Sequence, residues 1–411
     1  MNRILRNARR SDGSTVDLEI TDGHISAVSP CGASPATQVP AEDLAGWLVL
    51  PSLAEPHAHL DKALTAETVP NPKGDLLGAI DAWIAAAAAG KITHEGTVAR
   101  ARAAMELLLI HGVTAVRTHV NVLGSNGTAA LRAVQEAAAD FDGLLDVQTV
   151  ALTSSPMTGA DSTENRAALE SAIEEGVHLV GGCPHLDPDP AGLIAQAIRL
   201  AEDAGIGIDL HVDEMLDPSV LTLRELARQV IDHGFEGAVA ASHCVTLGMQ
   251  EPGVQAEVCA LVAEAGISVF PLPQTNLFLQ GRDHPTATPR GLTAVAALQH
   301  AGARVAAGAD NVQDPFNLVG RSDPLETAAL MVMAAHQLPD TAFDMVSNDA
   351  RRALGLAPVT LSVGDPADLL VIDAPSIRGA IADAPMSRRT YRRGRLVASS
   401  DEHRTIHHPN A

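Results

Sequence analysis

Apolar and polar positions alternate in two different ways along this chain. From residue 47 to about 311, short β-branched or apolar runs end on a polar residue and give way to stretches rich in Ala, Leu, Glu and Arg. Eight such runs recur: WLVLPSLAEPHAH from Trp47, VTAVRTHVNV from Val113, LLDVQTVALT from Leu144, HLVGGCPH from His178, IGIDLHVDE from Ile206, AVAASHC from Ala238, ISVFPLP from Ile267 and ARVAAGADN from Ala303. Between them, segments such as THEGTVARARAAMELLLIHG and DPAGLIAQAIRLAEDAG space apolar residues helically and place a Gly where a helix would end. Strand followed by helix, eight times over, predicts a (β/α)8 TIM barrel of the α/β class. A doubly wound nucleotide fold is the competitor, and it lacks its mark, because no G-x-G-x-x-G opens a helix after the first strand.

The flanks alternate over shorter distances. STVDLEITDGHISAVSP near the start, and VTLSVGDPADLLVID and TYRRGRLVAS near the end, read as strands separated by turn residues. Chain ends often lie close in space, so the expectation is a small β-sandwich domain built from residues 1–50 and 355–411 beside a barrel over 51–354.

Composition narrows the function classes. A net charge of −22 on 411 residues would repel a phosphate backbone or an anionic membrane surface, which leaves a small molecule as the expected partner. The first residues carry arginines but no apolar h-region, and no stretch has the length of an uncharged membrane span, so a cytoplasmic protein is expected. A homo-oligomer is compatible with this picture. Cys31, Cys183, Cys244 and Cys259 form no C-x-x-C pair, and a thiolate metal site is not expected.

Candidate chemistry gathers at the ends of the runs, which in a barrel converge on one mouth. The first run ends in His57 and His59, which as residues i and i+2 of a strand share a face. The fifth ends in His211 and Glu214, the sixth in His243 and the eighth in Asp310. Neutral imidazoles and carboxylate without thiolate suit Zn²⁺ or Fe²⁺. The other strand histidines, His119, His178 and His185, are read as satisfied groups of the core or of the layer behind a site. His94, His111, His233 and His300 are read as solvated.

The constellation HxH…HxxE…H…D, with RTHVNV at Arg117, ASHC at Ala241, NLFLQGR at Asn276, GADNVQDPF at Gly308 and GDPADLLVID at Gly364, resembles the amidohydrolase superfamily, and most specifically its cytosine-deaminase-like branch. The resemblance implies one divalent metal ion per chain, held by His57, His59, His211 and Asp310. It further implies Glu214 as proton shuttle, His243 as a catalytic group polarising the attacking water or the leaving side of the substrate, and Asp310 as a further handler of protons. Binuclear members of the superfamily bridge two ions with a carboxylated lysine on strand four. The only lysines here are Lys62, Lys73 and Lys91, so that bridge is not expected.

The implied function is a metal-dependent hydrolase that deaminates, or removes an amine from, a nitrogen heterocycle by attack of a metal-activated hydroxide. A ring-opening hydrolase of cyclic amides is the alternative, weakened by the missing lysine; a non-catalytic binding barrel predicts a lost ligand, and none is lost. Cytosine deaminases carry a glutamine after strand three, where this chain has Thr153, Ser154 and Ser155, and a second aspartate after the metal-binding one, where it has Asn311. Cytosine is therefore disfavoured. HLDK and GADN look more like the N-isopropylammelide amidohydrolase side of the branch. Lys62, Ser154, Gln280 and Asn311 are the expected polar substrate contacts, and Leu60, Phe278 and Phe316 the expected apolar walls.

Overall fold

The computed structural model of the chain describes residues 2–33, 39–124 and 126–407. All eight runs become strands in the expected order: Leu53–Ala58, Val113–Val122, Asp146–Thr153, Leu179–Val180, Gly207–Val212, Val239–His243, Ser268–Phe270 and Arg304–Val305. They pair in parallel, each with its successor, into one curled eight-stranded sheet. Among the described residues, a single bridge joins the first strand to the segment that follows the last. There Ala58 bridges Asp310, and the Asp310 N–H donates to the His57 carbonyl at 3.0 Å.

Helices cover the outside of the curl, as parallel strands require. His94–Ile110 starts at Thr93, whose hydroxyl accepts from Gly96 N–H. Pro190–Ala204 starts at Asp189, with Pro at its first position, and ends on Gly205 at φ 67°, a left-handed conformation that costs glycine little. One continuous apolar core lies between strands and helices, with Val116, Ile208, Ala241 and Val269 from the sheet against Ala101, Leu108, Ile198 and Leu226 from the helices.

A second eight-stranded sheet joins the two chain ends. Arg3–Arg9, Thr15–Thr21, His24–Pro30, Ala41–Asp43 and Leu48–Pro51 come from the start, and Leu369–Ile372, Arg388–Arg392 and Arg395–Ser400 from the end. It has an apolar cluster of its own around Leu5, Leu18, Ile20, Val49 and Leu369. The first of the eight runs divides between the sheets. Leu48–Pro51 pairs antiparallel with Leu369–Ile372, and only Leu53–Ala58 enters the curl. Pro51 has no N–H to continue a ladder, and Ser52 between the two strands turns its hydroxyl to Thr114 at 2.7 Å. Among the described residues no helix is long and apolar enough to cross a membrane.

Buried arginines tie the end strands to the curled part. Arg388 makes a two-pronged contact with Asp323 at 2.9 and 2.8 Å and also donates to the His111 carbonyl at 2.9 Å. Arg351 and Arg392 share Asp368 in the same way. Burial pushes the Asp323 carboxyl up, but the Arg388 hydrogen bonds and charge outweigh it and hold the group below its ordinary value. A depressed carboxylate stabilises the fold fully above its unfolded pKa of about 4, and that contribution is lost as pH falls through the folded value. Arg388→Ala would leave Asp323 buried without its partner. Urea unfolding at pH 7 is expected to show a loss of about 3–5 kcal/mol, and the acid limb of the stability curve should flatten.

Candidate active site

The polar residues at the strand ends converge as the repeat predicts. His57 and His59 from the first strand, His211 from the fifth, His243 from the sixth, Asp310 after the eighth and Glu214 beyond the fifth all sit at one end of the curl, each less than a tenth exposed. His57 and His59 Nε2 stand 3.5 and 3.2 Å from Asp310 Oδ1, and His211 Nε2 stands 3.2 Å from His59 Nε2. His243 Nε2 is 3.7 Å from Glu214 Oε2.

Local backbone choices aim these groups. Asp213, His243, Cys244 and Asp310 all take positive φ, at 52°, 66°, 47° and 67°. For residues with a Cβ this is strained backbone, the kind held in place only where surroundings over-determine it. At Asp213 those surroundings are visible. Its carboxylate accepts from Thr222 N–H, Thr222 hydroxyl and Leu223 N–H, capping the helix Thr222–His233 and fixing the turn that carries Glu214. The Glu55 carboxylate accepts from the His57 and Ala309 N–H groups and so ties the first strand to the segment before Asp310. Burial nevertheless pushes that carboxyl up to about 8.

The electrostatics are those of a dry site. Burial lowers the pKa of His57, His59 and His211 well below the ordinary imidazole value, which keeps the rings neutral with lone pairs available. His59 Nδ1 lies 3.1 Å from both the His119 carbonyl and Lys62 Nζ; when it donates to the carbonyl, the Nε2 lone pair is free for the cluster. Both nitrogens of His57, Nδ1 of His211, Nε2 of His243 and both oxygens of Asp310 are buried without a hydrogen bond. Stranded lone pairs of this kind are costly unless a cation collects them. His57, His59 and His211 bring ligand atoms within 4.8 Å of one another, as do His57, His243 and Asp310. Atoms about 2.1 Å from a zinc ion at tetrahedral angles lie about 3.4 Å apart, close to the separations found, so the residues fit a metal ion.

Of the expected substrate contacts, the structure brings four to the cavity above this cluster: Lys62, Ser154, Asn311 and Phe316. Three are elsewhere. Leu60 is in the apolar core, Phe278 lies under the Arg282 guanidinium at 4.7 Å, and Gln280 donates to the Glu214 carbonyl at 3.0 Å, supporting the loop from behind. The turn after the first strand carries Leu60 into the core, and the short helix Pro273–Leu279 ends at Gln280, whose amide is taken by the Glu214 carbonyl.

Two histidine readings change. His111 is buried, with Nδ1 at 3.1 Å from the Ser322 carbonyl, because its helix ends against the seam between the sheets. His119 is not satisfied. Its ring lies 4.0 Å from that of His57, neither nitrogen has a hydrogen bond, and Asp209, itself bound by Arg117 at 2.9 Å, stands 3.5 Å away. The strand alternation of RTHVNV and GIDLHV puts Arg117, His119, Asp209 and His211 on inward faces, a signal that was available. Asn276 holds His243 Nδ1 at 3.0 Å and went unassigned, since no spacing rule points to it.

Comparison with known proteins now bears on these residues. The model of the Amidohydrolase family matches residues 98–398. The chain belongs to the amidohydrolase family. It is 34% identical over 393 residues to a pterin deaminase of Rhizobium rhizogenes, covering 93% of this chain and 88% of that one. The fold matches a 5-methylcytosine deaminase from Klebsiella pneumoniae, with TM-score 0.88, 30% identity and full coverage of both chains. It also matches an N-isopropylammelide isopropylaminohydrolase from Burkholderia multivorans, with TM-score 0.83, 26% identity and coverage of 97% and 98%. The protein is accordingly a metal-dependent hydrolase of this family, and its histidine–carboxylate cluster fits a metal site.

The Asp213 turn generates a direct test. Asp213→Ala removes three hydrogen bonds from a helix start and leaves alanine in a left-handed conformation. Urea unfolding is expected to show a loss of roughly 2–3 kcal/mol, with Asp213→Asn losing less because its carbonyl can still accept.

Proposed function

We propose that the protein hydrolytically deaminates a nitrogen heterocycle of about the size of a pterin, with one zinc or iron(II) ion held by His57, His59, His211 and Asp310. The observation that carries this reading is the convergence of buried ligand atoms from those four residues beneath one cavity, with His57 and His59 Nε2 at 3.5 and 3.2 Å from Asp310 Oδ1 and His211 Nε2 at 3.2 Å from His59 Nε2. Its expected setting is a closed (β/α)8 barrel over residues 51–354, with residues 1–50 and 355–411 as a small β-sandwich domain. The separate apolar cluster of the second sheet supports that division.

When bound, the metal supplies a Lewis acid that makes water a nucleophile at neutral pH. The rest falls to side chains. Burial first, and the Asp310 charge second, raise the Glu214 pKa well above the ordinary carboxyl value, so this group can hold a proton until a departing amine needs it. His243, oriented through Nδ1 by the Asn276 amide oxygen, presents Nε2 to the same space. As water adds to the ring carbon that bears the amine, Glu214 passes one of its protons to the ring nitrogen; as the ring carbonyl forms, the second proton, from the added hydroxyl, passes through Glu214 to the amine, which leaves as ammonia.

Ring recognition falls to Lys62 and Asn311. Lys62 Nζ donates to Asn121 Oδ1 at 2.9 Å and stands 3.6 Å from the Asp61 carboxylate, which leaves its third proton for a ring carbonyl. The Asn311 amide donates to Asp314 at 2.8 Å, and its oxygen, 3.4 Å from the Thr275 hydroxyl, has a second lone pair to accept from a ring N–H. Ser154, on the cavity wall, is shorter than glutamine by about two carbon–carbon bonds, so a bare cytosine ring would leave its amide partly unpaired, at a cost of about 1–3 kcal/mol. The pterin deaminase relative acts on a bicyclic ring, and a cavity of about 760 Å³ gives such a ring ample room.

Ammonia release from pterin should therefore exceed that from cytosine by at least about tenfold in kcat/KM. A cytosine value equal to or above the pterin value would remove the argument from Ser154. Glu214→Gln keeps the shape but cannot transfer the proton. It should retain its metal by elemental analysis while turnover falls by about a hundredfold or more.

A further inference from the structure

The cavity gathers its histidines and most of its charged groups at one end. Lys62 Nζ marks the boundary, 6.0 Å from the ring centres of both Trp83 and Phe316. Inward of that neck lie the histidines, Glu214, Asp310 and Asn311. Outward, the helix Leu76–Ala88 lays Leu76, Ile80, Trp83, Ile84 and Ala87 along the cavity, the i, i+4, i+7, i+8, i+11 pattern of one helix face. Leu152 and Leu186 add to the apolar wall. Ile84 is 59% and Leu186 40% exposed, so this wall faces solvent, while Trp83 is buried against Val69 and Ala86.

The outer chamber also carries a charge preference. Lys62 is the one cationic residue among the described lining residues, and it stands at the neck, held by Asn121. Glu164 lines the outer part, on a chain whose net charge is −22. A carboxylate seated there would meet apolar side chains and a like charge, with the uncharged Ser155 and Asn165, each already donating to a backbone carbonyl, as polar neighbours.

We infer that the substrate is an aminoheterocycle bearing an uncharged apolar extension, alkyl or aryl, which occupies the chamber formed by the helix Leu76–Ala88, Leu152 and Leu186, and that rings with an anionic tail are excluded. This rests on the deaminase reading for the identity of the ring, but the chamber's preference is a property of the wall and can be measured without turnover.

Calorimetric titration of the zinc-loaded Glu214→Gln protein with pterin, 6-phenylpterin and pterin-6-carboxylate separates the two. The phenyl compound is expected to bind at least about tenfold more tightly than pterin, with a more negative heat-capacity change, and the carboxylate more weakly than pterin. Adding Ile80→Asp, or separately Leu186→Asp on the exposed rim, should shrink the phenyl-to-pterin ratio at least about fivefold. Equal binding of all three ligands, tighter binding of the carboxylate, or a ratio untouched by both substitutions would overturn the inference. If the preference is found while the unsubstituted protein releases no ammonia from any of the three, the deaminase reading falls and the chamber assignment stands.

Discussion

Lone pairs without partners are the constraint around which the mouth of this fold is arranged. His57, His211, His243 and Asp310 bring buried nitrogens and oxygens together with no hydrogen-bond donor to meet them. Burial removes the easy remedy of protonating the rings, since a charged imidazole in this space would lose its hydration. A divalent cation answers both problems, and the cluster fits a metal site.

The backbone is shaped to keep that arrangement in place. The two edges of the curled sheet meet at Ala58 and Asp310, and the His57 carbonyl accepts from the Asp310 N–H, so the contact joining the edges is made by the residues of the cluster themselves. Left-handed backbone at His243 and Asp310 accompanies side chains that face the cluster, and at Asp213 it belongs to the turn that carries Glu214. Strain at three strand ends persists because hydrogen bonds such as those of Asp213 to the following helix resist relaxation. Behind the cluster, Arg117 holds Asp209, Asp209 approaches His119, and His119 stacks on His57, a chain of buried contacts that limits how far the His57 ring can move.

Much of this was legible in the chain. The eight apolar runs are the eight strands in order, and the six polar residues at their ends meet in space, because strand-end position in a parallel repeat determines which side chains can converge. The limits have physical causes too. Periodicity tells that WLVLPSLAEPHAH is extended, but not that Pro51 divides it between two sheets. Leu60, Phe278 and Gln280 sit beside site residues in sequence, yet the direction of each depends on the turn after a strand or on a short helix. The Ala-rich helix Leu76–Ala88 supplies Trp83 and one wall of the cavity, and composition alone does not tell on which part of the surface an apolar helix will lie.

The claim on which the rest depends is that one cation is shared by His57, His59, His211 and Asp310. Anomalous diffraction at the zinc and iron edges, from crystals of protein loaded with each metal, tests it most directly. The account predicts a single peak per chain within about 2.0–2.2 Å of the three imidazole nitrogens and a carboxylate oxygen. Two peaks per chain, with the second among His57, His119 and Asp209 where ligand atoms also converge, or one peak lying there alone, would contradict it.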